Sequence, residues 1–336
     1  MKKKKKNVVV VGGGTGMYMI LSGLRKYPIN LSVIVSMMDS GGSNRVIRDE
    51  FGLLPTSDIR QCIVALASDN SHKMFRELFT YRYNQGTGIT GMTFGNLFMA
   101  AITDIYESQE EAIKKTCEFL DVQGEVVPIT FEETNLVARY DDGHQVLGEH
   151  NIDEPSKEHS DRNIVELEVF PPVKANPKAI QLIKQADLII LGPGDLYTSI
   201  ICNLVINNVA KEIAKSKARK VYVMNLMTRY GQTTNFKASD HLNELEKYLG
   251  KGNIDICLVN KTKKYPKGVL ARYMEENARP IEDDLQNSGT KVIRRSLVSN
   301  KIFEKARGDK LTRSLIRHDS KKLARVIMSL LEKDTG

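Results

Sequence analysis

The sequence predicts an α/β fold, Rossmann-like and doubly wound, with a mostly parallel sheet, helices on both faces and a small β-rich excursion. Three observations carry this. Strand-like and helix-like segments alternate over most of the 336 residues, the pattern of a parallel sheet covered by helices. Val8, Val9, Val10 and Val11 form an unbroken β-branched run, which suits a strand buried on both faces. That run enters Gly12, Gly13, Gly14, Thr15 and Gly16. Glycines lack a Cβ, so their N–H groups can converge on an anion where a helix begins.

The elements follow in order. Met17, Ile20, Leu21 and Leu24 recur at helical spacing and predict a helix over 15–26, followed by a second strand over 31–35. That strand ends in a small, polar loop over 37–44. Ile59, Ile63, Leu66 and Ala67 mark a helix over 58–67, and two further helices fit 94–106 and 109–120. Over 125–170 the texture changes to short alternating runs. Segments 137–140 and 145–148 flank Asp141, Asp142, Gly143 and His144, a hairpin-like turn. The acidic, polar stretch 149–163 reads as a mobile loop. Strands at 186–191, 220–224 and 254–259 then resume the parallel pattern. A helix over 199–214 lies between the first two, and an amphipathic helix over 319–331 closes the chain. The expected organisation is one domain over 1–336, an insertion at 125–170 and a basic tail at 1–6.

Composition narrows the function classes. Hydrophobic residues make up 41% of the chain and the net charge is +8, an ordinary globular balance. Much of the excess sits in Lys2, Lys3, Lys4, Lys5 and Lys6, a run expected to be a solvated tail. No basic stripe with interleaved aromatics appears beyond it, which argues against nucleic acid and leaves phosphorylated small ligands. Cys62, Cys117, Cys202 and Cys257 form no C-x-x-C pair and read as reduced core residues. The apolar stretch after the tail is too short for a signal peptide. No segment approaches the roughly 18 apolar residues of a membrane span, so a cytoplasmic protein without membrane insertion is expected. The histidines lack metal-ligand spacing, and neither a G-x-S-x-G elbow nor a Walker lysine is present.

Three strand ends share one loop character. Besides the glycine turn, Asp39 begins a loop through Gly41, Gly42 and Ser43, and Gly192, Pro193, Gly194, Asp195, Leu196, Tyr197, Thr198 and Ser199 lead from a strand into a helix. Ligands of open α/β sheets sit beyond such carboxyl ends. Glycine N–H groups and hydroxyls there suit a diphosphate, with Thr198 or Ser199 as a plain N-cap the alternative. Asn225 and Thr228 follow another strand and offer amide and hydroxyl groups to a base or sugar. Asp39 suits a ribose contact, a magnesium ion or the capping of nearby N–H groups. Arg45, Arg48, Arg60 and Arg317 are the candidate phosphate cations. Tyr273 reads equally as a ring-stacking residue and a core tyrosine. Asp319 reads as an N-cap rather than a proton-transfer partner of His318.

Ordered segments spanning nearly the whole chain carry a resemblance. They are VVVVGGGTG at 8–16, DSGGSN with Arg48 at 39–48, GLLPTSDIRQCIVALAS at 52–68, FGNLFMAAI at 94–102, LGPGDLYTSI at 191–200, MNLMTRYGQT at 224–233, SDHL at 239–242 and RHDSKKLARVI at 317–327. Together they resemble the YvcK/CofD-like family, in particular its YvcK branch, the gluconeogenesis factors. The resemblance implies a nucleotide site on a Rossmann-like fold, to which Asn96 of the FGNLF segment is added. The YvcK branch binds UDP-sugars such as UDP-N-acetylglucosamine, without a cofactor required for binding, and supports cell shape and peptidoglycan supply on gluconeogenic carbon. The CofD branch transfers a phospholactate group from a nucleoside diphosphate donor to a deazaflavin with a divalent metal. Two departures stand out. Ser40 occupies the place of a second family aspartate, which weakens a magnesium site at Asp39, and Ser43-Asn44-Arg45 replaces Ser-Ser-Gly.

The leading expectation is a UDP-sugar-binding regulatory protein, with Gly12–Gly16 and the 192–199 loop on the diphosphate and Asn225, Thr228 and Arg317 on uridine or sugar. A CofD-like transferase with Asp39 on magnesium is the alternative. An NAD-dependent oxidoreductase rests on the glycine turn alone. The 199–214 helix and the β-rich segment are candidate surfaces for a homo-oligomer.

Overall fold

The computed structural model describes residues 4–68, 73–155, 161–262, 264–265, 268–286, 289–300 and 315–332. Strand β1 (Asn7–Gly12) leads into α1 (Gly14–Leu24) and returns as β2 (Asn30–Val35). Five helices follow: α2 (Gly42–Phe51), α3 (Ser57–Leu66), α4 (Lys73–Thr80), α5 (Phe94–Tyr106) and α6 (Gln109–Phe119). They precede β3 (Glu125–Pro128). The excursion comprises β4 (Asn135–Tyr140), β5 (Gln145–Leu147), α7 (Glu149–Asp153) and β6 (Ile164–Phe170). Next come α8 (Pro177–Gln185), β7 (Leu188–Leu191), a wide helical turn over Leu196–Ile201, α9 (Cys202–Leu204), α10 (Val209–Lys215) and β8 (Arg219–Val223). The chain continues through α11 (Ala238–Leu249), β9 (Ile256–Asn260), α12 (Val269–Glu275), β10 (Lys291–Arg295) and α13 (Ser320–Glu332).

Seven strands form one parallel sheet in the order β10-β9-β8-β7-β1-β2-β3. The chain runs outward from β1 to β2 and β3, then crosses back to β7 on the other side of β1. The strand order therefore reverses between β1 and β7, where a doubly wound sheet opens a crevice at its carboxyl edge. The β1 valines explain why this strand is central. Val8 and Val10 face a core shared with Met17 and Ile20 of α1 and Leu323 of α13, while Val9 and Val11 face one shared with Ile183 of α8 and Leu242 of α11. All four are at most 1% exposed, and burying each contributes on the order of 2 kcal/mol.

The three-stranded antiparallel sheet, β5-β4-β6, packs Leu136, Ala138 and Leu167 into the second of these cores. Its boundary differs from the sequence expectation. β3 belongs to the main sheet, paired with β2 from Ser32↔Glu125 to Val35↔Pro128, so the excursion starts after it. A four-residue strand with a proline at its end carries too little alternation to reveal its sheet.

Three other expectations change. The 37–44 loop is shorter than expected, because Gly42 already starts α2. Within 149–163, residues 149–153 are helical, and 156–160 lie outside the described residues. The expected helix over 199–214 is broken: the wide turn and α9 end at Val205, and Asn208 adopts a left-handed φ of 67° before α10. Leu196, Tyr197, Ile200 and Ile201 are at most 1% exposed, so the first part of this segment fills the protein's own core. At the amino end, Lys4 and Lys5 are exposed and Lys6 pairs with Asp187 at 2.9 Å; residues 1–3 lie outside the described residues. All four cysteines are free, three buried and Cys117 half-buried.

Candidate functional site

The helix starts around the crevice differ in how their first N–H groups are satisfied. Thr93 caps α5, Ser108 caps α6 and Asn176 caps α8 by accepting backbone N–H bonds, and Asp319 accepts from Lys321 and Lys322 at α13. Helices α1 and α2 instead begin at Gly13 and Gly41, neither with a side-chain cap of its own. The turn after β7 begins at Asp195, again without a side-chain cap bond. Helix starts without a cap of their own suit phosphate oxygens, and here carboxylates from elsewhere accept from two of them, Asp58 from Gly14 and Asp39 from Gly41.

The two glycine loops pack directly on one another. A Cβ on Gly12 would lie 3.7 Å from Gly192 Cα, one on Gly13 would lie 3.6 Å from Ser199 Cβ, and one on Gly194 would lie 3.1 Å from the Gly13 carbonyl. A Cβ on Gly16 would collide with the Pro193 carbonyl. Gly14 and Gly192 have φ of +66° and +78°, where a side chain is strained. Gly194 N–H donates to Asn225 Oδ1 at 3.3 Å, tying the end of β8 to this wall. Just beyond, Met224 carbonyl accepts from His318, whose burial pushes it down to about 4.

The opposite wall is made of side chains. Asn96, fully buried, donates to Ser43 Oγ and Ser57 Oγ, both at 3.1 Å, and accepts from Arg60 Nε at 2.9 Å. The Arg60 guanidinium also donates to the Phe79 carbonyl. Asn44 Oδ1 accepts from Ser57 Oγ at 2.8 Å. These bonds lock the starts of α2, α3 and α5 together. Arg60 is 7% exposed and serves as a brace here, not as a surface cation. Arg48 and Arg45 sit on the exposed side of α2, each beside Asp49.

Carboxyls gather between the walls. Asp39 Oδ1 accepts the Gly41 N–H at 2.9 Å, the capping role, and Glu149 donates a carboxyl hydrogen bond to Asp39. Burial raises both, and Asp39, Asp58 and Asp195 raise Glu149 further. Asp58 Oδ2 accepts the Gly14 N–H at 3.0 Å. Burial, Asp39 and Asp195 push its carboxyl up to about 7. Short helix α7 delivers Glu149 and is held at both ends. The His150 N–H donates to Ser40 Oγ at 3.0 Å, and Asp153 accepts from Arg229 and Gln232 beyond β8.

Among the described residues, no three acidic, histidine or cysteine side chains come together as a group able to hold a metal ion. Asp39 holds the Gly41 N–H and Ser40 holds the start of α7.

The remaining predicted residues divide. Thr15, Gly42, Thr198 and Ser199 lie at the two glycine loops and the α2 start. Leu196 and Tyr197 point away, Tyr197 donating to the Ile164 carbonyl at 3.1 Å. Thr228 is 6% exposed and its hydroxyl accepts the Arg279 N–H. Tyr273 is 9% exposed within an apolar cluster with Leu226 and Ile316, and its hydroxyl accepts the Ile316 N–H. Arg317, half-buried, accepts the Ser299 N–H at its carbonyl. Sequence reasoning missed Asp58, Glu149 and the Asn44–Ser57 bridge. Ser-Asp opening a helix after Pro55 marks Asp58 as a helix-start carboxylate; nothing local marks Glu149.

The family model described as CofD, 2-phospho-L-lactate transferase, matches residues 8–298. A relative from Aquifex aeolicus is 40% identical over 326 residues, covering 96% of this chain and 95% of its own length. The gluconeogenesis factor of Bacillus subtilis is 36% identical over 324 residues, 96% of each chain. A crystal structure of a Bacillus halodurans protein superposes with a TM-score of 0.86 at 33% identity, covering 97% of this chain and all of that one.

Proposed function

Because the chain belongs to the CofD family, on its gluconeogenesis-factor or YvcK branch, we propose that it binds a nucleotide sugar of the UDP-N-acetylglucosamine kind and acts as a cytoplasmic regulator of cell shape and cell-wall precursor supply during gluconeogenic growth. The observation that carries the reading is the contact of two glycine loops, Gly13 against Ser199 and Gly194 against Gly13, at the reversal of strand order. A diphosphate lies across such a junction, with N–H groups from both loops on its oxygens. Asn225, held at Gly194, is the candidate nearest to the uridine or sugar end. No helix among the described residues is long and apolar enough to cross a membrane.

Isothermal titration against UDP-N-acetylglucosamine, UDP and NAD tests the reading. Heat is expected from both uridine ligands and none from NAD. Silence with every uridine nucleotide overturns it.

A further inference from the structure

A ligand phosphate at the glycine turn would find one of its donors already taken. Gly14 N–H donates to Asp58 Oδ2 at 3.0 Å, and a Cβ on Gly13 would meet that same oxygen at 2.5 Å. The carboxylate lies flat against the turn, reaching it from α3 across 44 residues of sequence. Since Gly13 has no side chain to cap α1, Asp58 fills the role from a distance, as an anion at the positive end of a helix.

We propose that Asp58 is an internal stand-in for the ligand's phosphate, and that its negative charge gates binding at the glycine turn. The proposal rests on the placement of a diphosphate argued above.

The surroundings make this charge consequential. Asp39 faces it from the loop after β2, Asp195 from the loop after β7 and Glu149 from α7. On its own helix, Gln61 Nε2 approaches Asp58 Oδ1 at 3.5 Å, and Arg60 is near. Buried thiols of Cys62 and Cys202 adjoin it. His150 acts on Asp39 through its charge. The one guanidinium in this set directs its hydrogens to Asn96 and Phe79, so its field reaches Asp58 but its donors do not. A diphosphate placed beside an ionised Asp58 thus meets a like charge, with no guanidinium bonded to it, in a partly desolvated crevice. Protonation removes that charge, and the neutral carboxyl can donate to a phosphate oxygen. With Asp58 raised to about 7, its ionised and neutral forms exchange dominance between pH 8 and 6.

UDP-N-acetylglucosamine is the suitable probe, because its diphosphate diester does not titrate over this range. Isothermal titration at pH 6 and pH 8 compares the wild type with Asp58→Asn and Asp58→Ala, and thermal melting checks that each variant folds. If only the neutral form binds, wild-type affinity rises about tenfold from pH 8 to pH 6, following the neutral fraction. Asp58→Asn, permanently neutral, binds about tenfold tighter than wild type at pH 8, matches it at pH 6 and is flat between them. Asp58→Ala, freeing the Gly14 donor, binds at least as tightly as Asp58→Asn. Weaker binding in folded variants makes Asp58 a structural cap and overturns the inference. Equal affinities with unchanged pH dependence overturn it alone, whereas silence from all three proteins overturns it together with the reading beneath it.

Discussion

The two walls of the crevice are built from different materials. On the β1 and β7 side, backbone meets backbone, and space is set by missing Cβ atoms at Gly12, Gly13, Gly16 and Gly194. On the α2, α3 and α7 side, side chains meet side chains through Asn96, Arg60, Asp39, Asp58 and Glu149. A backbone wall tolerates almost no added atom yet is indifferent to most titration. A side-chain wall can re-pack but responds to protons. The first wall supplies donors; the second decides how much charge they may hold.

Substitutions at two neighbouring glycines test this contrast most severely. Gly16→Ala sets a methyl against the Pro193 carbonyl, which cannot move without shifting the whole 192–199 loop. A cost of about 3 kcal/mol in chemical denaturation is expected, with loss of calorimetric binding to UDP-N-acetylglucosamine. Gly13→Ala meets the Asp58 carboxylate instead, a side chain that can swing away, and should cost about 1 kcal/mol. Adding Asp58→Ala to Gly13→Ala should restore most of that loss. If Gly16→Ala binds normally, the two loops are not the rigid wall described here.

Acid and alkaline limits of stability separate the walls in a second way. His318 underpins the backbone wall through the Met224 carbonyl, and burial lowers it from 6.5 to about 4. A lowered histidine stabilises fully above its unfolded value, and that contribution is lost as pH falls from 6.5 towards 4. For a group this buried the loss is about 3 kcal/mol. Asp58 is displaced the other way, from 3.8 to about 7, so its contribution is present at low pH and is lost as pH rises through 7. Melting profiles from pH 4 to pH 9 should therefore gain stability below pH 6.5 with His318→Gln, and lose with Asp58→Asn the fall that the raised carboxyl causes between pH 4 and 7. Exchanged effects would show that the two groups answer to other neighbours.

The walls were also unequally legible in the sequence. Gly12–Gly16 and the 192–199 loop are contiguous, and glycine between a strand and a helix has few other uses, so the backbone wall could be read directly. Asn96 and Arg60 carry no local mark of their partnership, which spans 36 residues. Glu149 reaches Asp39 from a five-residue helix in an excursion that begins only after β3. A hydrogen bond between side chains so far apart arises from tertiary placement alone. Asn96→Ala probes the part that stayed hidden. It removes the acceptor of a buried guanidinium and the donor to Ser43 and Ser57, and a loss of about 2 kcal/mol is expected, with weakened ligand affinity as the α2 start loosens. Unchanged stability would remove the brace from the argument.

The smallest expected effect lies outside both walls. Tyr273 sits in the cluster with Leu226, Val269, Leu315 and Ile316, and its hydroxyl accepts the Ile316 N–H at 3.2 Å. Burial raises the phenol above its usual value, so it stays neutral through the physiological range. Tyr273→Phe keeps the packed ring and deletes only the acceptor, which should cost about 1 kcal/mol. Affinity for UDP-N-acetylglucosamine should change by less than about twofold, since the hydroxyl is spent on Ile316 and the ring on its apolar neighbours. A tenfold loss of affinity in a folded Tyr273→Phe protein would mean that this cluster opens onto the ligand, and the crevice would then have a third wall.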